Sequence, residues 1–275
     1  MKLAISNIAW AWKDFPLLVP ALRELGVEGI EVAPTKLWPS WDQATKAAAI
    51  ELRKRLDDEG FSVPAIQSIF FGRNELQLFD NSTWLALEEH VKHVADLAQC
   101  LGARVLVFGS PKMRRRGQLS MSQAMPPATD IFRRLGAVCL QRGVCIGLEH
   151  NPPEYGCDFA TCAADVVEIV KCVDSAGVAV HLDSGGLQMS GGDIGKVICD
   201  VGHFVHYHVS EPMLVNPSHG SKVDHRKAAG ALATINYPAW ISLEMQGQET
   251  HDDISHALSF VRDAYRPWLE SSKDW

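Results

Sequence analysis

Short apolar runs recur along this chain, and between them lie stretches whose apolar residues are spaced by three and four. The runs are KLAISNI (2–8), VEGIEVA (27–33), FSVPAIQSI (61–69), ARVLVFGS (103–110), VCIGLEH (144–150), VAVHLDS (178–184), FVHYHVS (204–210) and AWISLEM (239–245). Several are almost continuously apolar, as expected of strands with helices on one face and a filled lumen on the other. The helical stretches carry their own stop and start signals. Trp84, Leu87, Val91, Val94, Ala98 and Leu101 form one stripe, stopped by Gly102. Another runs from Asp14, an amino cap, through Pro16, Leu18, Leu22 and Leu25 to Gly26. Eight strand–helix units in succession predict an α/β fold, a (β/α)8 TIM barrel. No Pro/Gly/Ser linker or charge block divides residues 1–275, so a single domain is expected.

The polar residues that end these runs carry the chemistry. Glu149, Asp183, His208 and Glu244 each close an apolar run, and the runs are separated by about 25 to 36 residues, one strand-plus-helix unit each. In a closed parallel barrel every strand opens onto the same rim, so three carboxylates and an imidazole converge there. Carboxylates brought that close repel unless a cation or a proton is shared among them. The expectation is one divalent metal site at the mouth. Any one of these acids taken alone reads equally well as a helix cap or a surface charge; the four together favour the metal. Oxygen-rich ligands with one imidazole suit Mn²⁺ first, with Mg²⁺, Co²⁺ or Zn²⁺ also open. Long connections are expected after the fourth, sixth and seventh strands (109–122, 184–193 and 210–224), on the rim where barrel enzymes build their sites.

Composition narrows the class. A net charge of −7 argues against nucleic acid as a partner. The opening MKLAISNIAW reads as a strand rather than a leader, no apolar stretch approaches the ~20 residues of a membrane span, and the expected location is the cytoplasm. The seven cysteines are odd in number and form no CxxC, so they read as reduced, mostly buried thiols.

On the motifs GLEHN, HLDSGG, HYHVSE and ISLEM the chain resembles the xylose isomerase-like TIM barrel family, the sugar (phosphate) isomerase/epimerase group, over essentially its whole length. That resemblance implies Glu149, Asp183, His208 and Glu244 as metal ligands, and Glu31 in GIEVAP as the acid the family often carries after strand two. Two positions depart from the pattern of members that epimerise free ketoses at carbon 3. Where those carry a His three residues after the strand-six Asp and an Arg six residues after the ligand His, this chain has Gly186 and Leu214. Nucleases on this barrel need further His and Asp ligands where this chain has Gln67, Gly109 and Gly186, so a trinuclear site is not expected.

The resemblance and the convergence of strand ends together imply an isomerase or epimerase of a small sugar or related hydroxy-carbonyl compound. It would abstract an α-proton through a metal-stabilised enediolate, with Glu149 and Glu244 as the acid/base pair. A lyase, such as a dehydratase of a cyclic polyol ketone or dehydroshikimate, would share the first step. A phosphodiesterase and a non-catalytic ligand-binding barrel remain further alternatives. Substrate contacts are expected from Lys112, His181 and Glu211. Lys112 belongs to GSPKMRRRG, a basic loop suited to a phosphate or carboxylate, and is the cation expected to reach inward. His181 and His206 read equally as groups that orient the carboxylates, and His225 as a helix start. The predicted partner is a carbohydrate-like small molecule, and pairing with a second copy is open.

Overall fold

Apolar runs of two to six residues pair side by side in parallel, and the helices between them cover the outer face of the resulting sheet. The computed structural model describes residues 2–247 and 250–271. Its elements alternate as β1 (Lys2–Ser6), α1 (Phe15–Glu24), β2 (Val27–Glu31), α2 (Lys46–Asp58), β3 (Ala65–Ile66), α3 (Trp84–Leu101), β4 (Val105–Phe108) and α4 (Met121–Leu140). They continue with β5 (Cys145–Glu149), α5 (Ala163–Val173), β6 (Val178–Asp183), α6 (Ser184–Ser190), α7 (Ile194–Val201), β7 (His206–Val209), α8 (His225–Thr234), β8 (Trp240–Leu243) and α9 (His251–Ser271). The strands run in the order β2-β1-β8-β7-β6-β5-β4-β3. Isolated bridges, Gly29 to Ser62 and Val32 to Ile66, close β2 onto β3. The expected (β/α)8 TIM barrel is the fold.

Alternation along each strand divides the core. Leu106, Phe108, Ile146 and Leu148 face outward into the large core shared with the helices. Ala65, Val105 and Val107, with Cys145 and Val205 against them, form a small separate cluster in the lumen. Above that plug the strand register places polar residues side by side. Glu149 pairs with His181, His181 with His206, and Asp183 with His208. The convergence of the strand ends is therefore a matter of register.

The stripe of α3 is as expected, with Leu87, Val91, Val94, Ala98 and Leu101 buried and Gly102 at φ 77° ending the helix. Elsewhere the structure corrects the reading. Asp14 makes no capping hydrogen bond, because a 3-10 turn over Trp12–Asp14 runs straight into α1 and leaves it with helical dihedrals. The run 61–69 yields only a two-residue β3. Pro64 has no N–H to give a ladder, and Ser68 at φ 54° turns the chain away. Ile69, Phe70, Leu76 and Leu78 then pack into the core from a long connection, 67–83, of which only 67–69 lay within the expected strand. All seven cysteines are free thiols, but only Cys139 and Cys157 are buried; Cys100, Cys145 and Cys162 are half-buried, and Cys172 and Cys199 are exposed. Among the described residues no helix is long and apolar enough to cross a membrane.

Candidate metal centre

Glu149 ends β5, Asp183 ends β6, His208 lies in β7, and Glu244 follows β8. Each offers one ligand atom, and those atoms all lie within 4.8 Å of one another. His208 Nδ1 stands 3.0 Å from Glu244 Oε2 and 3.7 Å from Glu149 Oε1. It is buried and aligned for a hydrogen bond with neither. A buried imidazole nitrogen aimed among three carboxylates is the donor set of a divalent cation, so the residues present fit one.

The imidazole is held in that pose from behind. Glu31, fully buried at the end of β2, accepts from His208 Nε2 at 2.9 Å and faces His206 Nε2 at 3.1 Å. Burial alone would raise the Glu31 pKa; His208 and His206 overrule it and hold the carboxyl well below its usual range. With Nε2 committed to Glu31, Nδ1 is the nitrogen left for the mouth. A second set, His181, His206 and His208, also falls within 4.8 Å, but there two of the three imidazoles turn Nε2 to Glu31.

Asp183 is fixed through both oxygens. Gly186 N–H donates to Oδ1 at 2.6 Å and Ser210 Oγ to Oδ2 at 2.5 Å. Desolvation, then the charges of Glu149 and Glu244, push its pKa up to about 7. Burial opposes a charged His208, yet Glu31 and Glu244 raise its pKa well above the usual histidine range. Near neutral pH the cluster thus holds protons where a cation would sit, and binding must expel them. We expect the apparent affinity for Mn²⁺ to rise between about pH 6 and pH 8 with net proton release. Calorimetric titration in two buffers of different ionisation enthalpy measures this; an affinity indifferent to pH would contradict it.

Glu149 is braced by a residue that sequence reasoning passed over. Arg114 is fully buried, and its Nη1 donates to the Glu149 carbonyl at 2.6 Å. Of the basic loop it is Arg114, not Lys112, that turns inward. Arg115 Nε is spent on the Gly156 carbonyl, and Arg116 on Asp158 and Leu119. Gly109 makes room for the carboxylate, since a Cβ there would overlap Glu149 Oε2. Asn151 Nδ2 reaches the same oxygen at 3.3 Å. Burial would raise the Glu149 pKa, but His208, His150 and Arg114 outweigh it and hold it below the ordinary glutamate value.

The three residues expected to meet substrate are placed differently. Lys112 is exposed and lines a groove beside the mouth rather than the mouth itself. His181 is fully buried beneath the carboxylates, with Nδ1 3.9 Å from Glu149 Oε1 and its ring edge-on to His208 at 4.3 Å. Burial, then the neighbouring His208 and His206, lower its pKa far below the usual value, so it stands neutral in the floor of the site. Glu211 faces away from the mouth. Fully buried, it accepts from His225 Nε2 at 2.9 Å, from the Ser221 hydroxyl and from the Lys222 and Val223 amides. Its oxygens are committed to the loop before α8, so the expectation of a sugar contact there is corrected. His225 opens α8, as a helix-start role requires.

The mouth is a cavity of about 390 Å³. Among the described residues Glu149, Asp183 and Glu244 are its charged lining. Gln67, Asn151 and Gln246 add amides, and Ser68, Ser110 and Tyr155 add hydroxyls. Val107, Pro111, Met213 and Leu214 supply an apolar side. Burial pushes the Tyr155 pKa up to about 12, so its hydroxyl stays protonated, and its oxygen accepts from Met213 N–H at 3.0 Å. Where the resemblance leads one to look for a His and an Arg stand Gly186 and Leu214. A Cβ on Gly186 would touch the buried His150 ring at 2.9 Å, so an imidazole already occupies that space from the β5 side. Met213 and Leu214 both hold left-handed backbone, at φ 61° and 55°.

No curated protein matches the sequence significantly. Among solved structures the fold is similar to D-psicose 3-epimerase from Clostridium cellulolyticum H10 with D-tagatose, at TM-score 0.78 and 19% identity over 96% of this chain and 99% of that one. It is similar to the 3-keto-D-glucoside 4-epimerase of E. coli at TM-score 0.75 and 15% identity, covering 96% and 99%. It is also similar to the IOLI protein with a bound zinc atom, at TM-score 0.74 and 17% identity, covering 98% and 99%. At these identities the likeness is one of fold. The profile of the xylose isomerase-like TIM barrel family matches residues 19–264. With that match across nearly the whole barrel, the chain belongs to the xylose isomerase-like TIM barrel family.

Proposed function

We propose that the protein is a divalent-metal-dependent isomerase or epimerase of a small sugar or related hydroxy-carbonyl compound. The observation that carries this reading is the buried His208 Nδ1 set among three carboxylates that open onto a sugar-sized cavity. The fold's likeness to sugar epimerases supports it. Glu149, Asp183, His208 and Glu244 would hold the ion, Mn²⁺ by preference for three oxygens and one nitrogen. Bound there, it supplies Lewis-acid polarisation of a substrate carbonyl and stabilises charge on that oxygen.

The chain's own groups do the rest. Glu149 and Glu244 come from β5 and β8, on different sides of the cavity. One takes the proton from the carbon next to the carbonyl; the other returns a proton to the opposite face. Glu149, held below its usual pKa, is ionised at neutral pH as a base must be. Tyr155 stays protonated and suits the role of donor to a sugar oxygen. The amides of Gln67, Asn151 and Gln246 can match hydroxyls in either direction.

The test is incubation of Mn²⁺-loaded protein with a panel of ketoses in D₂O. Deuterium entering beside the carbonyl with mass otherwise conserved is the expected result. Loss of water would replace isomerisation by elimination, and absence of exchange across the panel would sink the proton-transfer reading.

A further inference from the structure

Continuous with the mouth runs a second cavity, a groove of about 860 Å³ against the connections that follow β3 and β4. It is more than twice the size of the mouth, at about 390 Å³. The two share Ser68, Ser110 and Pro111. Both serines are held in left-handed backbone, at φ 54° and 46°, one after each strand. The two loops turn at these serines, which brings both connections to the junction between the cavities.

The cavities differ in their charged side chains. Among the described residues the mouth presents three carboxylates and no lysine or arginine, and the groove presents Arg73, Lys112 and Arg115 and no acid. Arg73 is paired with Glu75 at 2.5 Å, whereas Lys112 and Arg115 make no ion pair among the described residues, Arg115 giving its Nε to the Gly156 carbonyl and keeping its charge. At the rim Phe71 offers an apolar ring that is 69% exposed and also lines the groove. An aromatic face beside guanidinium and ammonium groups suits a ring that carries a negative charge. In the mouth no lysine or arginine among the described residues would meet that charge.

We infer that the substrate has two parts. An uncharged hydroxy-ketone part lies in the mouth. A second ring bearing an anionic group, carboxylate or phosphate, crosses between Ser68 and Ser110 and rests on Phe71 with its charge toward Lys112 and Arg115. This deepens the isomerase reading and rests on it for the identity of the first part. It also gives the basic loop a task at the outer groove, where its exposed members point.

The experiment uses the Mn²⁺-loaded full chain and two rings that carry no ketone, 4-nitrophenyl β-D-glucuronide and 4-nitrophenyl β-D-glucoside. The glucuronide is expected to bind at least about tenfold more tightly, a difference of the size one charged contact gives. Lys112→Glu combined with Arg115→Glu should abolish that preference. Phe71→Ala should weaken both rings alike. These three side chains are exposed, so retained metal content and melting temperature verify that the variants fold. Competition by D-glucuronate against D-glucose 6-phosphate names the anion, the stronger competitor being the group the groove takes. Equal binding of the two rings, a preference that survives charge reversal, or no binding by ring or competitor overturns the subsite. Neither ring can be isomerised, so the result is read without turnover. Failure of deuterium exchange would remove the enzymatic reading and leave this measurement intact.

Discussion

Glu149→Gln and Glu244→Gln are each expected to lower turnover by about a thousandfold, the middle of the range for a positioned acid or base. Both carboxylates line the mouth and both belong to the candidate ligand set, so the assay needs saturating Mn²⁺ to separate proton transfer from metal loss. A finer readout distinguishes the two residues. If each serves one face of the reacting carbon, each variant still exchanges the proton of one epimer with D₂O and fails on the other. The epimer that survives in Glu149→Gln identifies the face that Glu244 serves, and the reverse holds. Near-wild-type turnover in either variant would remove that residue from the acid/base pair. A loss traced wholly to metal content would assign it to holding the ion alone.

Replacing Glu31 by Gln should be the most damaging change to stability. Glu31 is fully buried and its two oxygens serve His206 and His208. Removing one partner of a buried charged set typically costs about 3–5 kcal/mol, because what remains is left unpaired. For a domain of this size that corresponds to a fall in Tm of roughly 10 °C. An amide at this position also offers one acceptor and one donor where two acceptors are needed. His208 then loses its orientation, and metal affinity should fall by about ten- to a hundredfold. The pH dependence follows from the direction of the Glu31 shift. Its folded pKa is depressed, so its contribution is present above the ordinary carboxylate range and is lost as pH falls through the folded value. The gap between wild type and variant should therefore narrow in acid. A Tm unchanged to within about 2 °C, with metal affinity retained, would show that the two histidines are oriented by something else.

Much of this was legible because strand periodicity and strand ends are local signals. Glu149, Asp183, His208 and Glu244 each closed an apolar run, and the barrel needed only the register to gather them. Glu31 surfaced only through family resemblance, since a lone acid ending β2 carries no mark of the two histidines it meets from β7. Arg114 was hidden among Lys112, Arg115 and Arg116. Nothing in a run of cations says which one turns inward, and the decision is made by the space beneath Glu149. Glu211 misled because it follows the HxHxS stretch, yet the backbone beyond Ser210 carries it out of the lumen toward α8. The run 61–69 has the apolar content of one strand, but the chain leaves the sheet after Ile66 and Ile69 reaches the core from a loop. Gln67, Ser68 and Phe71 wall the two cavities from a connection that carries no strand period to mark them.

The unbroken run of ladders has a consequence for how such a barrel works. Four strands that carry the candidate ligand set, β5 to β8, are stitched edge to edge without a break, while β2 and β3 close the ring through isolated bridges and four backbone hydrogen bonds, Ser62 to Glu28, Ile30 to Ser62, Val32 to Ala65 and Gln67 to Val32. The separations among the four side chains are thus set within one continuous half of the ring. The loops after β3 and β4, which wall the outer groove, can differ in sequence and length without moving that half.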